Sequence, residues 1–128
     1  MENPPSLISG YYNTSGMGRI AALPPGVAGW SWGALLLNWV WALGNGVWIG
    51  LLCLIPGVNL VVAVVLAAKG REWAWRNRRW DSRDQFLRAQ ARWSRCGVVA
   101  AVVSAVALAA AIVWFIVLRH PWPILAAR

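Results

Sequence analysis

The segment KGREWAWRNRRWDSRDQFLRAQARWSR, residues 69–95, separates two long apolar stretches and decides how the chain can fold. It contains nine Lys or Arg residues, four Trp and three acids, and so carries +6 of the chain's net charge of +8. Cationic loops of membrane proteins stay on the cytoplasmic side, and Trp favours the boundary between hydrocarbon and headgroups. The pattern predicts a basic cytoplasmic segment between two membrane-embedded parts.

The composition of the chain is typical of a membrane protein. Hydrophobic residues make up 59% of its 128 residues, and charged residues only 12%. A soluble domain of this length cannot hide so much apolar surface from water. The excess of positive charge makes anionic lipid the first partner to consider. No nucleic-acid-binding module is recognisable, so we do not expect nucleic acid as a partner.

The residues before the basic segment fall into three parts. Residues 1–29 are rich in Pro, Gly, Ser and Asn and predict a flexible tail. Residues 31–44 are too short to cross a bilayer alone and contain several Trp, which favours an interfacial or re-entrant helix. Residues 47–69, after the break at Gly44-Asn45-Gly46, are long enough for a transmembrane helix, kinked at Pro56-Gly57.

A second transmembrane helix is predicted after the basic segment. Ser82 and Gln85 have the spacing of a capping box, which marks a helix start. The helix is expected to continue into residues 97–118, which contain no charge. Residues 119–128 are expected to form a short tail. Residues 30–128 are thus expected to make one helical membrane domain.

These assignments predict an all-α fold. It consists of a membrane helical hairpin formed by residues 47–69 and 97–118, an added interfacial or re-entrant Trp-rich helix, and a basic amphipathic cytoplasmic segment over residues 70–95. Because cytoplasmic loops are enriched in Lys and Arg, both termini are expected on the opposite side of the membrane. The chain is expected to be a multi-pass protein of a cell inner membrane. If residues 31–44 also cross, the N-terminus moves to the cytoplasmic side.

Several motifs of this region carry a family resemblance. They occur in residues 30–82, WSWGALLLNWVWALGNGVWIGLLCLIPGVNLVVAVVLAAKGREWAWRNRRWDS, and comprise a Trp-Gly-Ala opening, a Gly-Asn-x-x-Trp-Ile turn and a Lys-Gly-x-Glu-Trp-Ala-Trp exit. With Phe86, Gln90 and Trp93, the chain resembles a group of short, uncharacterised, Trp-rich bacterial inner-membrane proteins. The resemblance implies a bacterial membrane location. The group has no established activity, so the resemblance implies no functional residue.

Residues of the basic segment are candidates for contact with lipid headgroups, because Trp and cationic side chains favour the interface and anionic lipid. They are Lys69, Arg71, Trp73, Trp75, Arg76, Arg78, Arg79, Trp80, Arg88, Arg92, Trp93 and Arg95.

Small residues on the two predicted crossings are candidates for helix packing. In lipid they let helix backbones approach closely, either within the hairpin or with a partner subunit or a second copy. They are Gly46, Gly50, Gly57, Gly97, Ala101 and Ala105. Gly50→Leu is therefore expected to disrupt association while leaving insertion intact.

No pattern for catalysis, a metal or a cofactor is visible. Cys53 and Cys96 are far apart and lack a Cys-x-x-Cys spacing. The single histidine, His120, cannot form a metal site alone. We therefore do not expect an enzyme, and no catalytic, cofactor or metal residues are assigned.

The Trp residues before the basic segment allow two interpretations. They either anchor the chain at the interface or line a pocket for a flat pigment, quinone or sterol-like ligand. Such a pocket would use Trp32, Trp39, Trp41 and Trp48.

The expected function is that of a non-catalytic accessory or assembly subunit of a larger membrane complex. One alternative is a homo-oligomeric pore lined by Asn38, Asn45 and Ser104. A second alternative is a recruiter that binds anionic lipid through the Arg-rich segment.

Overall fold

The computed structural model describes residues 13–119, and this part of the chain is all-helical. Helices make up 75% of the described residues, and no strand occurs among them, which confirms the all-α prediction for this range. The three α-helices are α1, Trp32–Asn45; α2, Asn59–Asn77; and α3, Arg83–Arg119. Two 3-10 helices, Gly18–Ile20 and Trp48–Leu54, precede α1 and α2 respectively.

α1 is a broken helix that folds back along α3. At Asn38 the backbone has φ 31° and ψ −101°, which interrupts the helix. The first arm places Gly33 so close to α3 that an added Cβ would lie 2.8 Å from the Trp93 carbonyl carbon. The second arm brings Trp41 back to Gln90, nearer the start of α3. The bounds of α1 lie within one residue of those predicted for the Trp-rich helix.

The transmembrane helix predicted over residues 47–69 is wrong as a continuous helix. A 3-10 helix occupies Trp48–Leu54, a turn follows, and α2 begins only after that turn. Pro56 has no amide hydrogen to continue a helix, and Gly57 has φ 93°, a left-handed conformation. The chain therefore reverses at this pair, and the 3-10 helix and α2 form a hairpin. α2 then continues beyond Lys69 into the basic segment.

α3 begins, as predicted, at a capping box. The Ser82 Oγ accepts a hydrogen bond from the Gln85 N–H (3.1 Å), and the Gln85 Oε1 accepts one from the Asp81 N–H (2.8 Å). The helix continues without a break for 37 residues, which confirms the predicted continuity into the apolar run. Gly97 is its last buried residue, and residues 102–119 are all exposed. The first half of α3 is therefore packed, and the second half projects.

The described part of the N-terminal segment, residues 13–29, is hydrogen-bonded to the rest of the fold. The Asn13 Nδ2 donates to the Trp80 carbonyl oxygen (2.7 Å), and the Gly16 N–H donates to the Trp75 carbonyl oxygen (2.9 Å). Hydrogen bonds of this length fix the N-terminal segment against the junction of α2 and α3.

The same bonds correct the predicted topology. Because residues 13–29 touch the basic segment, no hydrocarbon layer of about 30 Å can separate the two. Placing the N-terminal segment on the opposite side of a membrane from the basic segment is therefore wrong. Residues 1–12, and residues 120–128 of the predicted C-terminal tail, lie outside the described part of the chain.

The core lies between α1, α2 and the packed half of α3. Trp41, Trp75 and Phe86 are its largest fully buried side chains, each at most 1% exposed. Trp75 and Trp80 meet Phe86 edge to face, with ring centroids 5.4 and 5.0 Å apart. Aromatic packing thus joins the end of α2 to the start of α3 and holds the basic segment in place.

Candidate membrane interface

Charged and apolar surfaces are separated along the molecule. Residues 98–118 carry no charge, and none of them is buried. The 3-10 helix Trp48–Leu54 and α2 also expose large apolar side chains, such as Trp48 (70%) and Leu60 (72%). All described Lys and Arg residues except Arg19 and Arg119 lie in the basic segment. Exposed apolar surface of this extent marks contact with a membrane or with another protein.

α3 is the one helix within residues 13–119 that is long and apolar enough to cross a membrane. Core helices of soluble proteins can be equally apolar, but the apolar window of α3 is 0% buried in the chain. Residues 98–118 would extend about 32 Å, close to the hydrocarbon thickness of about 30 Å. The helix supports an association of the chain with a membrane.

Four arginines of the basic segment bind backbone carbonyl groups of the N-terminal segment and of α1. The pairs are Arg71 with Gly26 (2.7 Å), Arg78 with Gly44 (2.7 Å), Arg79 with Asn13 (2.8 Å) and Arg83 with Pro25 (2.6 Å). Each bond uses an N–H group of the guanidinium to hold the fold together. The headgroup contacts predicted for three of these arginines are therefore shared with a structural task.

Three arginines on α3 make no such bond. Arg88, Arg92 and Arg95 are exposed and line a shallow groove of about 390 Å³ along the helix. Within the described residues the one ion pair joins the Lys69 Nζ to the Glu72 Oε1 at 3.2 Å. These three arginines are the part of the predicted headgroup set that is best placed to meet anionic lipid.

Trp75 and Trp80 correct the predicted headgroup contacts. They are only 1% and 5% exposed. Their indole N–H groups donate to backbone carbonyl oxygens of the N-terminal segment (2.9 Å) and of α2 (3.1 Å). Because they are buried and their donors are satisfied, these side chains do not reach headgroups. Trp73, Arg76 and Trp93 are half-buried and keep part of their surface available.

Two of the glycines predicted to meet a partner are used within the chain. A Cβ on Gly50 would overlap with the Ala42 Cβ, and a Cβ on Gly97 would lie 3.2 Å from the Leu36 Cβ. The intramolecular alternative therefore holds for both glycines. Gly50→Leu would therefore strain the fold itself, so this substitution cannot serve as a selective test of association.

Gly46 and Gly57 serve the backbone. Gly46 has φ 71° and ends α1, and Gly57 has φ 93° with no neighbouring atom within 4 Å of an added Cβ. Left-handed φ values of this kind favour glycine. Ala101 is half-buried and Ala105 is exposed. Of the predicted packing residues, these two alanines are the ones left to contact a partner.

Three buried polar residues form a closed set of hydrogen bonds that was not predicted from the sequence. The Trp41 Nε1 donates to the Gln90 Oε1 (3.2 Å), and the Gln90 Nε2 donates to the Asn45 Oδ1 (2.9 Å). The Asn45 Nδ2 then donates to the Trp41 carbonyl oxygen (2.8 Å). All three residues are at most 4% exposed. Since their polar atoms satisfy one another, this triangle pins α1 to α3. The sequence signal that could have predicted this triangle is the presence of the polar residues Asn45 and Gln90 among apolar neighbours.

The polar residues suggested for a pore do not converge. Asn45 is buried in the triangle, Asn38 lies at the break in α1, and Ser104 is exposed on the projecting half of α3. The four Trp residues suggested for a flat-ligand pocket do not converge on one site either. Trp41 is buried, whereas the other three Trp residues are 39–70% exposed.

Chemistry-bearing side chains do not cluster in the described part of the chain. No group of three or more His, Cys, Asp or Glu lies together within residues 13–119. Cys53 and Cys96 are free thiols, the first buried and the second exposed. His120 lies outside the described residues.

No protein-family model, curated protein or solved structure matches the chain.

Proposed function

We propose that the chain is a non-catalytic, membrane-anchored accessory or assembly subunit of a larger membrane complex. The observation that carries the proposal is the projecting half of α3. Residues 98–118 have no charge, would extend about as far as a bilayer's hydrocarbon is thick, and include no buried residue. Such a surface is costly in water and stable in lipid or against another apolar helix.

The proposed topology has one crossing. α3 would span the bilayer, and the hairpin would enter one leaflet only. From Asn59 to Ala68, before the first charge at Lys69, α2 rises about 15 Å, half the hydrocarbon thickness. The basic segment and residues 13–29 would then lie together at the cytoplasmic surface, because cationic segments are retained there.

The turn at residues 55–58 favours a protein neighbour in addition to lipid. This turn is not helical, and it is exposed in the single chain. Within hydrocarbon, irregular backbone is tolerated where protein covers it, because lipid cannot bond to free N–H and C=O groups. A neighbouring membrane protein that covers the turn would remove that cost.

Ala101 and Ala105 mark the face of α3 that we expect a partner helix to meet. Small side chains four residues apart allow close backbone approach, and in lipid it is packing that drives helix association. Ala107 points to roughly the opposite side of the helix, about 200° from Ala105. It provides a matched control.

Co-purification of the tagged chain from its own membrane tests this role. Ala105→Leu is expected to lower partner recovery several-fold, because the larger side chain holds the helices apart. Ala107→Leu is expected to leave recovery unchanged. Both positions are exposed, so neither change should disturb the fold. Wild-type recovery with Ala105→Leu would contradict the packing face.

The two alternative functions would give different results in the same material. A symmetric homo-oligomer with measurable conductance would favour a pore. Liposome binding that falls steeply with salt and requires anionic lipid would favour a recruiter acting through Arg88, Arg92 and Arg95. A single copy bound to unlike chains supports the accessory role.

A further inference from the structure

A small cleft lies where the start of α1 meets α2 and α3. Its volume is about 170 Å³, and it is lined by Arg71, Gln90, Ser94, Ser31 and Trp30 among others. None of its lining residues is acidic. The cleft therefore combines one cationic group with hydroxyl and indole groups.

Arg71 is incompletely satisfied in this cleft. Its Nη2 donates to the Gly26 carbonyl oxygen (2.7 Å), but its Nε is buried and has no hydrogen-bond partner among the described residues. Burial lowers the pKa of the Arg71 guanidinium, yet arginine stays charged at neutral pH. No carboxylate of the described chain forms an ion pair with it. Because the Nε is enclosed, only the terminal nitrogens of this guanidinium could contact a ligand in the cleft. A partly buried cation without a carboxylate partner favours a bound anion.

The serines can complete an anion site. The Ser31 Oγ accepts a hydrogen bond from the Ala34 N–H (3.2 Å), which leaves its own O–H free to donate. Ser94 is half-buried on the cleft wall and brings a second hydroxyl. Gln90 is committed to the buried triangle and shapes the wall. One guanidinium and two hydroxyl donors suit the oxygens of a phosphate group.

The cleft lies at headgroup depth relative to the apolar half of α3. Ser94 lies four residues, or about 6 Å of helix, before Val98. Val98 is the first residue of the uncharged run 98–118, which contains no buried residue. The headgroup region extends roughly 5–7 Å beyond the hydrocarbon on each side of a bilayer. A phosphate in the cleft would meet that layer, and the attached acyl chains could follow the exposed apolar surface of α3.

We propose that this cleft binds the phosphate group of a membrane phospholipid, with Arg71 as the charged contact and Ser31 and Ser94 as hydroxyl donors. The site differs from a diffuse attraction to the exposed arginines of α3 because its shape and donors are fixed. The inference uses the membrane anchoring by α3 but not the subunit role. Loss of lipid here and loss of a partner at Ala105 are therefore separate outcomes.

The test measures phospholipid retained by the full-length protein. The protein is purified in detergent micelles containing phosphatidylglycerol and washed in 1 M salt, where a Debye length of about 3 Å screens diffuse attraction. Bound lipid is then extracted and counted. Arg71→Gln is expected to reduce retention about tenfold, as for loss of a charge-assisted contact. Arg19→Gln removes an exposed charge that lies outside both the cleft and the basic segment, and it is expected to change retention less than about twofold.

Ser94→Leu keeps the test decisive if Arg71→Gln unfolds through loss of its bond to Gly26. This substitution fills the cleft without removing the guanidinium, and the same loss of lipid is expected. Unchanged retention with Ser94→Leu would overturn the proposal. Equal losses from Arg71→Gln and Arg19→Gln would overturn it as well. Displacement of the lipid by excess inorganic phosphate would assign the cleft to a free anion instead.

Discussion

At the scale of single residues, Trp side chains illustrate why the site was only partly predictable. A Trp has an apolar body and one N–H donor, so it suits both a headgroup layer and a core that offers a carbonyl oxygen. Trp75 and Trp80 find such carbonyls inside the protein and are buried. Composition cannot separate the two environments, because the acceptors lie far away in the sequence or depend on the local fold.

The buried triangle makes a quantitative prediction for Gln90. Gln90→Leu would leave the Trp41 Nε1 and the Asn45 Oδ1 without partners in the core. Each of these two unsatisfied buried groups costs about 1–3 kcal/mol, so we expect the free energy of unfolding to fall by roughly 2–6 kcal/mol. Thermal or denaturant unfolding in detergent, followed by circular dichroism, measures the change.

Arg88→Leu is the matched control for that measurement. Arg88 lies on the same helix, is exposed and has no hydrogen bond among the described residues, so its replacement should change stability little. If Gln90→Leu and Arg88→Leu unfold at the same midpoint, the triangle does not hold α1 on α3.

At the scale of elements, local signals were predictable and long-range ones were not. The capping box at Ser82 and Gln85 depends on spacing alone, and the structure confirms it. The N-terminal segment looks like a flexible tail because its composition is typical of one. Its order comes from bonds to Trp75 and Trp80, about 60 residues away in the chain. A single sequence contains no local signal for such contacts.

The prediction of one transmembrane helix over residues 47–69 failed for another reason. An uncharged apolar run predicts burial in lipid or protein but not whether its helix is continuous. From the sequence, Pro56-Gly57 predicts a kink, because the pair removes one backbone donor and weakens the turn. The left-handed φ of Gly57 turns that kink into a reversal, and the run becomes a 3-10 helix followed by α2.

The capping box gives a prediction for the start of α3. Ser82→Ala removes the acceptor for the Gln85 N–H and is expected to reduce stability by about 1 kcal/mol. Ser82→Asp keeps an acceptor and should preserve stability. Hydrogen exchange of the first turn of α3 reports the difference. Equal exchange in the two variants would show that the cap does not hold the helix start.

At the scale of the whole molecule, the chain is asymmetric along its length. One part is packed from α1, α2 and the first half of α3, and it carries nearly all described charge. The other part is a single apolar helix that has no buried residue and no packed neighbour among residues 13–119. The bonds between residues 13–29 and the basic segment keep both on one side of any membrane that α3 crosses. In the proposed arrangement, one crossing replaces the two that the hydrophobic runs suggested.

The most direct test of this arrangement is labelling of single cysteines by a membrane-impermeant thiol reagent, from each side of sealed membranes. Cys53 and Cys96 are first replaced by Ala, and reporters are placed one at a time at Met17, Asp84 and Arg119, which are all exposed. We expect Met17→Cys and Asp84→Cys to react from the cytoplasmic side, and Arg119→Cys from the other side. If Met17→Cys instead reacts from the same side as Arg119→Cys and opposite to Asp84→Cys, the one-crossing arrangement is wrong.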